Sequence, residues 1–173
     1  MDAVTVPTET WFRSLQSVPP AEMIGLWEGE GMPSGHPLDG VLENLDWFGK
    51  RFHADMRADA LLFRTRPGRL IAVEPARVPL RLALRFASFG RTRMARNGFS
   101  HLIKSLRAKG RTASLRQEAL DGVQSSAMVY DRQPIVDHFR RLGADDVVGM
   151  MTVTGEARRY FFRLRKVEGS DPT

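Results

Sequence analysis

No cysteine occurs in the 173-residue chain. That absence excludes disulfide bonds, a thiolate nucleophile and every cysteine-ligated zinc or iron–sulfur centre. Long apolar runs are missing too: no stretch approaches the roughly 18 to 20 residues that a membrane-spanning helix needs. The opening MDAVTVPTET carries two acids and no basic segment, so no secretory signal is predicted and a cytoplasmic setting is expected. Acidic residues are sparse across the middle, where residues 51–120 hold 16 Lys and Arg against 4 Asp and Glu. The rest of the chain holds 10 against 16, and arginine supplies 22 of the 26 cations. Two readings of that block stay open: a basic patch for an anionic partner, or arginines that solvate exposed faces. What is present is a globular composition, 42% hydrophobic and 27% charged, long enough to bury one proper core.

Thr8 or Thr10 is expected to cap a first helix reaching about Leu15, with Trp11, Phe12 and Leu15 on one face. Pro20 suits the first turn of a second, short one. Residues 25–31 read as a strand. Residues 41–52 are predicted as a helix, because Leu42, Leu45, Phe48 and Phe52 fall on one stripe, with Asp39 as its cap. Two apolar runs split by Arg66-Pro67-Gly68 predict a hairpin. Pro79 opens an amphipathic helical region. Leu80, Ala83, Leu84 and Ala87 share one stripe; Phe99, Leu102, Ile103 and Leu106 share the next, opposite Lys104, Arg107 and Lys109. Strands return at 111–120 and 123–130 around Asp121-Gly122, and at 146–153 and 158–167 around Thr154-Gly155. Between these hairpins Pro134 is expected to start a short C-terminal helix over 134–142. Strands joined by tight turns pair antiparallel, and closing the sheet removes its edges. The predicted class is α+β: a single antiparallel β-barrel or half-barrel with N-terminal, central amphipathic and short C-terminal helices, in one compact domain over 1–173.

Gly25-Leu26-Trp27-Glu28-Gly29 matches the pattern that names the GXWXG family. The resemblance continues through Ser34-Gly35-His36-Pro37-Leu38-Asp39-Gly40 and Trp47-Phe48-Gly49-Lys50-Arg51-Phe52. Ala127-Met128-Val129-Tyr130-Asp131, Gln133-Pro134-Ile135-Val136-Asp137, Phe139-Arg140 and Tyr160-Phe161-Phe162-Arg163-Leu164 resemble the companion domain of unknown function 4334. The halves 15–75 and 111–168 are then joined by the basic helical segment 78–110. The resemblance implies a bacterial protein and a barrel, and assigns no chemistry. More distantly, the motif is similar to that of the calycin group: lipocalins, fatty-acid-binding proteins and nitrobindins. In such a lipocalin-like barrel Trp27 plugs the closed end while Gly25 and Gly29 let backbones approach. Nitrobindin-like proteins bind haem through a histidine near the chain end. Here none follows His138, which falls on a predicted helix, so neither haem nor another cofactor is expected.

His36 with Asp39, and His53 with Asp55, flank the predicted 41–52 helix and offer a metal or acid–base site, although their spacing fits no metal motif. The bland alternative has Asp39 as a cap and His36 bracing a loop. Tyr130, Asp131 and Asp137 form a second cluster, and Glu28 and Glu30 project opposite Trp27. An inward carboxylate facing Tyr130 or His36 would serve as a general base in an apolar cavity. Otherwise Asp131 caps the following helix and the glutamates face water.

The leading functional expectation is a non-enzymatic binder of a small hydrophobic or amphipathic molecule. Its cavity is expected to be lined by Phe63, Met128, Met150 and Phe162, with Tyr130 and an Arg or His36 at the polar end. The first rival is an acid–base enzyme in the same cavity, with His36, Tyr130 and Asp131 as catalytic candidates. The second is a basic surface module, in which residues 80–109 touch anionic lipid transiently. Nucleic acid is disfavoured, because Phe86, Phe89 and Phe99 look core-facing and no recognition motif accompanies the basic block.

Overall fold

The computed structural model describes residues 6–66 and 68–170. Its strands in chain order are β1 (Gly25–Met32), β2 (Trp47–Phe52), β3 (Arg57–Thr65), β4 (Arg69–Ala72), β5 (Ala113–Leu120), β6 (Val123–Tyr130), β7 (Ile135–Arg141), β8 (Asp146–Val153) and β9 (Glu156–Lys166). The helices are α1 (Glu9–Ser14), α2 (Pro20–Met23), α3 (Val41–Asn44), α4 (Leu80–Arg85), α5 (Ala87–Gly90) and α6 (Arg93–Leu102). Eight strands close antiparallel in the ring β1-β2-β3-β5-β6-β7-β8-β9, and β4 attaches to β3 outside it. Strands from both family halves complete one barrel. Among the described residues no helix is long and apolar enough to cross a membrane.

Closure is thin at one place. β3 pairs with β5 only at Arg57 and Ala58, whereas its far half, Leu62 to Thr65, pairs with β4. The wall therefore parts between β4 and β6, and the gap is filled from the chain between β4 and β5. A Val73–Arg107 bridge and a 3-10 turn, Pro75–Arg77, cross it. Gln133 Nε2 fastens that turn by donating to the carbonyls of Pro75 (2.9 Å) and Val78 (3.3 Å).

Strand alternation sorts the side chains into two cores. Inward residues such as Trp27, Phe52, Met128, Phe139, Met151 and Phe162 fill the barrel. Outward Val148, Met150 and Phe161 meet Phe12 in a satellite core beneath α1, with Trp11 and Leu15 packed at its edge. Thr8 caps α1 by accepting from Trp11 N, as its position predicts, and Pro20 opens α2.

Two predicted helices are strands. The helix expected over 41–52 stops after the single turn of α3, where Asp46 takes φ +61°, and β2 follows. Gly49 explains the change: a Cβ there would stand 2.0 Å from the Trp27 carbonyl oxygen, so β1 and β2 approach too closely for any other residue. The C-terminal helix expected over 134–142 is β7, hydrogen-bonded on both sides by β6 and β8. Those ladders, with Ser125 Oγ donating to the Phe139 carbonyl and Arg141 N donating to the Gln16 carbonyl, give the backbone its partners as a strand, and they bury Ile135, Asp137 and Phe139 inward at the same time. Asp39 is not a helix cap either. Its Oδ2 accepts from the backbone N–H groups of Ser34, Gly35 and His36, while Gly40, at φ +78°, precedes α3. Asp131 caps nothing; it pairs with Arg57, which holds its carboxyl below the usual range. Pro67 of the expected β3–β4 turn lies outside the described residues, and Gly68 beside it has φ +92°.

Helices form over 80–102, but the stretch 103–109, expected to continue the last of them, runs as turns into the Val73–Arg107 bridge, and the helix faces differ from expectation. Leu80 and Leu84 pack on the core, and the ring of Phe99 stands 4.8 Å from that of Phe63. Phe86 and Phe89, expected in the core, are 55% and 51% exposed, because α4 and α5 are short and break direction at Phe86. Leu102, on the predicted apolar stripe, is exposed as well.

Candidate functional site

Where the wall parts, the barrel keeps a cavity of about 140 Å³ with an almost wholly apolar surface. α3 contributes Val41 and Leu42, α4 Leu80 and Ala83, and α6 Phe99 to its roof; the strands supply Leu61, Phe63, Ile135, Met151 and Phe162. Of the expected lining residues, Phe63, Tyr130 and Phe162 are there. Met150 is not: it points outward into the satellite core, and Met151 takes the inward place. Met128 is buried deeper in the barrel core and leaves the cavity surface to its neighbours. Among the described residues, no arginine and no histidine lines the cavity.

Its polar end is built from three side chains on three strands. Lys50 of β2 and Asp137 of β7 are 2% and 0% exposed, and Lys50 Nζ lies 2.9 Å from Asp137 Oδ2. Lys50 Nζ also donates to the Ala60 carbonyl (3.0 Å) and to the Tyr130 hydroxyl (3.3 Å). Tyr130 in turn donates to Asp137 Oδ2 at 3.3 Å. The ammonium sits 5.0 Å from the Phe162 ring centroid and 5.8 Å from that of Trp47, so aromatic faces solvate it where water does not. Burial pushes the Tyr130 hydroxyl well above its ordinary pKa, and the Asp137 charge adds to the shift, so Tyr130 is a neutral donor.

Three residues also carry a buried polar atom that has no partner and is closed off from the cavity: Asp137 Oδ1, Trp47 Nε1 and the Tyr160 hydroxyl. All three residues line the cavity. Burial raises the Tyr160 pKa as well, reinforced by the charges of Glu43, Asp39 and Asp137. His36 stands behind Tyr160, with ring centroids 5.5 Å apart. The Leu38 N–H donates to its Nδ1 at 3.1 Å, which puts the imidazole proton on Nε2, itself unpartnered. Burial lowers the His36 pKa against the opposing charge of Asp39. His36 thus braces the rim and does not reach the surface of the cavity.

The other candidates are not brought together. His53 Nε2 lies 2.9 Å from Asp59 Oδ2, while Asp55 accepts from Arg57 N. Among the described residues, no three His, Asp or Glu side chains converge on a metal-sized site. Asp131 is at the surface with Arg57. Glu28 and Glu30 face outward, Glu28 in a salt bridge to Arg64. Lys50 and Asp137 were open to recognition in the sequence: once 135–139 is read as alternating strand, Asp137 falls between inward Ile135 and Phe139, as Lys50 falls in phase with Phe52.

The motif residues serve the same site from below. Trp27 is buried, and its Nε1 donates to the Met23 carbonyl of α2 at 2.6 Å. It does not line the cavity. Gly29 makes room for Trp47, whose indole would lie 2.3 Å from a Cβ at that position. Gly25 has φ +129°.

Residues 10–68 match the model of the GXWXG protein family, and residues 111–166 match that of domain of unknown function 4334. A crystal structure of a protein from Thermomonospora curvata shares the fold, at 31% identity and a TM-score of 0.67, over 92% of this chain and 85% of that one. No curated protein matches the chain. The barrel, its paired glycines and both matched segments make the chain a member of the GXWXG family, with domain of unknown function 4334 as its C-terminal part.

Proposed function

We propose that the protein binds a small hydrophobic or amphipathic molecule in the barrel cavity. The observation that carries this reading is a Lys50–Asp137–Tyr130 cluster at the end of an otherwise apolar cavity. Buried ion pairs contribute little net stability, and apolar replacements often do as well. A pair held beside an apolar cavity is therefore better explained by shaping a binding site than by folding alone. The chemistry argues for binding ahead of acid–base catalysis. Lys50 is matched to a carboxylate, Tyr130 stays protonated, and neither His36 nor Asp131 reaches the cavity. Haem is disfavoured on geometry: alternation on β7 turns His138 away from the cavity that Asp137 faces. Native mass spectrometry of the protein as purified tests the reading. A bound species of low mass, released by organic extraction, is expected. Protein that stays at its bare mass after exposure to a library of small amphiphiles overturns it.

A second reading is favoured by the exposed Phe86 and Phe89. With Leu82, Met94 and Leu102 they project from a segment, 80–109, that has eight Lys and Arg and no Asp or Glu. Apolar tips set among cations suit the interface of an anionic bilayer. The same helices roof the cavity, so the two readings are compatible.

A further inference from the structure

We infer that the ligand is neutral and predominantly apolar, of about six to ten heavy atoms. This rests on the cavity-binding reading and narrows it. Size comes first: a closed apolar cavity of roughly 150 Å³ holds a benzene-sized molecule, and the space here is about 140 Å³. Charge comes second. Lys50 and Asp137 are the charged side chains of the lining, and they neutralise each other at 2.9 Å. An incoming carboxylate would lose its water and meet Asp137, with the charges of Glu43 and Asp39 beyond Tyr160, while the ammonium it needs is already taken. An incoming ammonium meets Lys50 in the same way. Surface comes third. Asp137 Oδ1, Trp47 Nε1 and the Tyr160 hydroxyl are buried behind carbon, and the cavity surface is almost wholly apolar. A charged group entering it would lose its water and find no exposed polar partner, whereas a neutral apolar body loses little.

The test is a calorimetric comparison of benzyl alcohol, benzamide, benzoate and benzylammonium near pH 7. The alcohol and the amide are expected to bind at least about tenfold more tightly than either ion. Asp137→Asn leaves Lys50 without its counter-charge, and benzoate should gain at least about tenfold relative to the alcohol. The double variant Lys50→Met/Asp137→Asn carries neither charge and should keep the preference for neutral probes. Benzoate or benzylammonium binding the unaltered protein as tightly as the alcohol overturns the inference while leaving cavity binding in place. Failure of all four probes overturns the cavity reading, and this inference with it.

Discussion

Gly29 and Gly49 carry the contacts that give the Gly-x-Trp-x-Gly segment its meaning. At Gly29 an added Cβ would lie 2.3 to 2.9 Å from three carbons of the Trp47 indole. At Gly49 it would lie 2.0 Å from a backbone oxygen, and the residue has φ +149°. A side chain can shift by a few tenths of an ångström, but a paired strand cannot. Gly29→Ala is therefore expected to cost about 1–3 kcal/mol, the range for overpacking a tight core, and Gly49→Ala distinctly more. Urea denaturation midpoints of the two variants check the order. A Gly49→Ala protein as stable as Gly29→Ala would mean that the strand crossing is looser than described. The motif signalled a crowded strand, but Gly29 makes room for a side chain, Trp47, and the backbone approach lies at Gly49, outside the motif. Trp47 lies 18 positions further along, and a contact of that range leaves no local signature.

At the scale of elements, periodicity misled where it was shared between two structures. Leu42, Leu45, Phe48 and Phe52 satisfy a helical stripe, yet Phe52 pairs with Gly25 and Ala58 in a sheet. In 134–142 the proline at a helix-like first position outweighed the β-branched Ile135 and Val136, and with the strand went the inward direction of Asp137. Strands bounded by Asp121-Gly122 and Thr154-Gly155 were legible because glycine takes φ +79° and +83° there, which those turns require. The α4–α6 roof carries the prediction that belongs to this scale. Vesicles containing phosphatidylglycerol should sediment the protein, and vesicles of phosphatidylcholine alone should not, with binding weakened by salt. Phe86→Glu/Phe89→Glu should abolish sedimentation without changing the unfolding midpoint, since both rings already face solvent. Equal binding to both vesicle types, or loss of stability in the variant, would contradict the membrane reading. Salt-sensitive binding to DNA in place of vesicles would transfer the basic face to a nucleic-acid partner.

Over the whole molecule, the barrel's one weak seam and its cavity are the same feature. β3 cannot serve both β4 and β5 along its length, so the wall opens above Ala58, and the basic segment between the family halves folds in as filler. What remains unfilled is bounded by apolar side chains and ends on a neutralised ion pair. The barrel class and the helices within 80–102 follow from turns and stripes; the position of the cavity follows from a pairing of residues 55 and 57 positions apart, Ala58 with Ala113 and Arg57 with Ser114. The central claim is that this cavity receives a small ligand. Amide chemical-shift mapping during titration with benzyl alcohol tests it most directly. The account predicts saturable shifts concentrated at Lys50, Phe63, Ile135, Asp137, Met151 and Phe162, with α1 and the satellite core silent. Shifts that do not saturate, or that gather on the outer face around Phe12 and Met150, would contradict it.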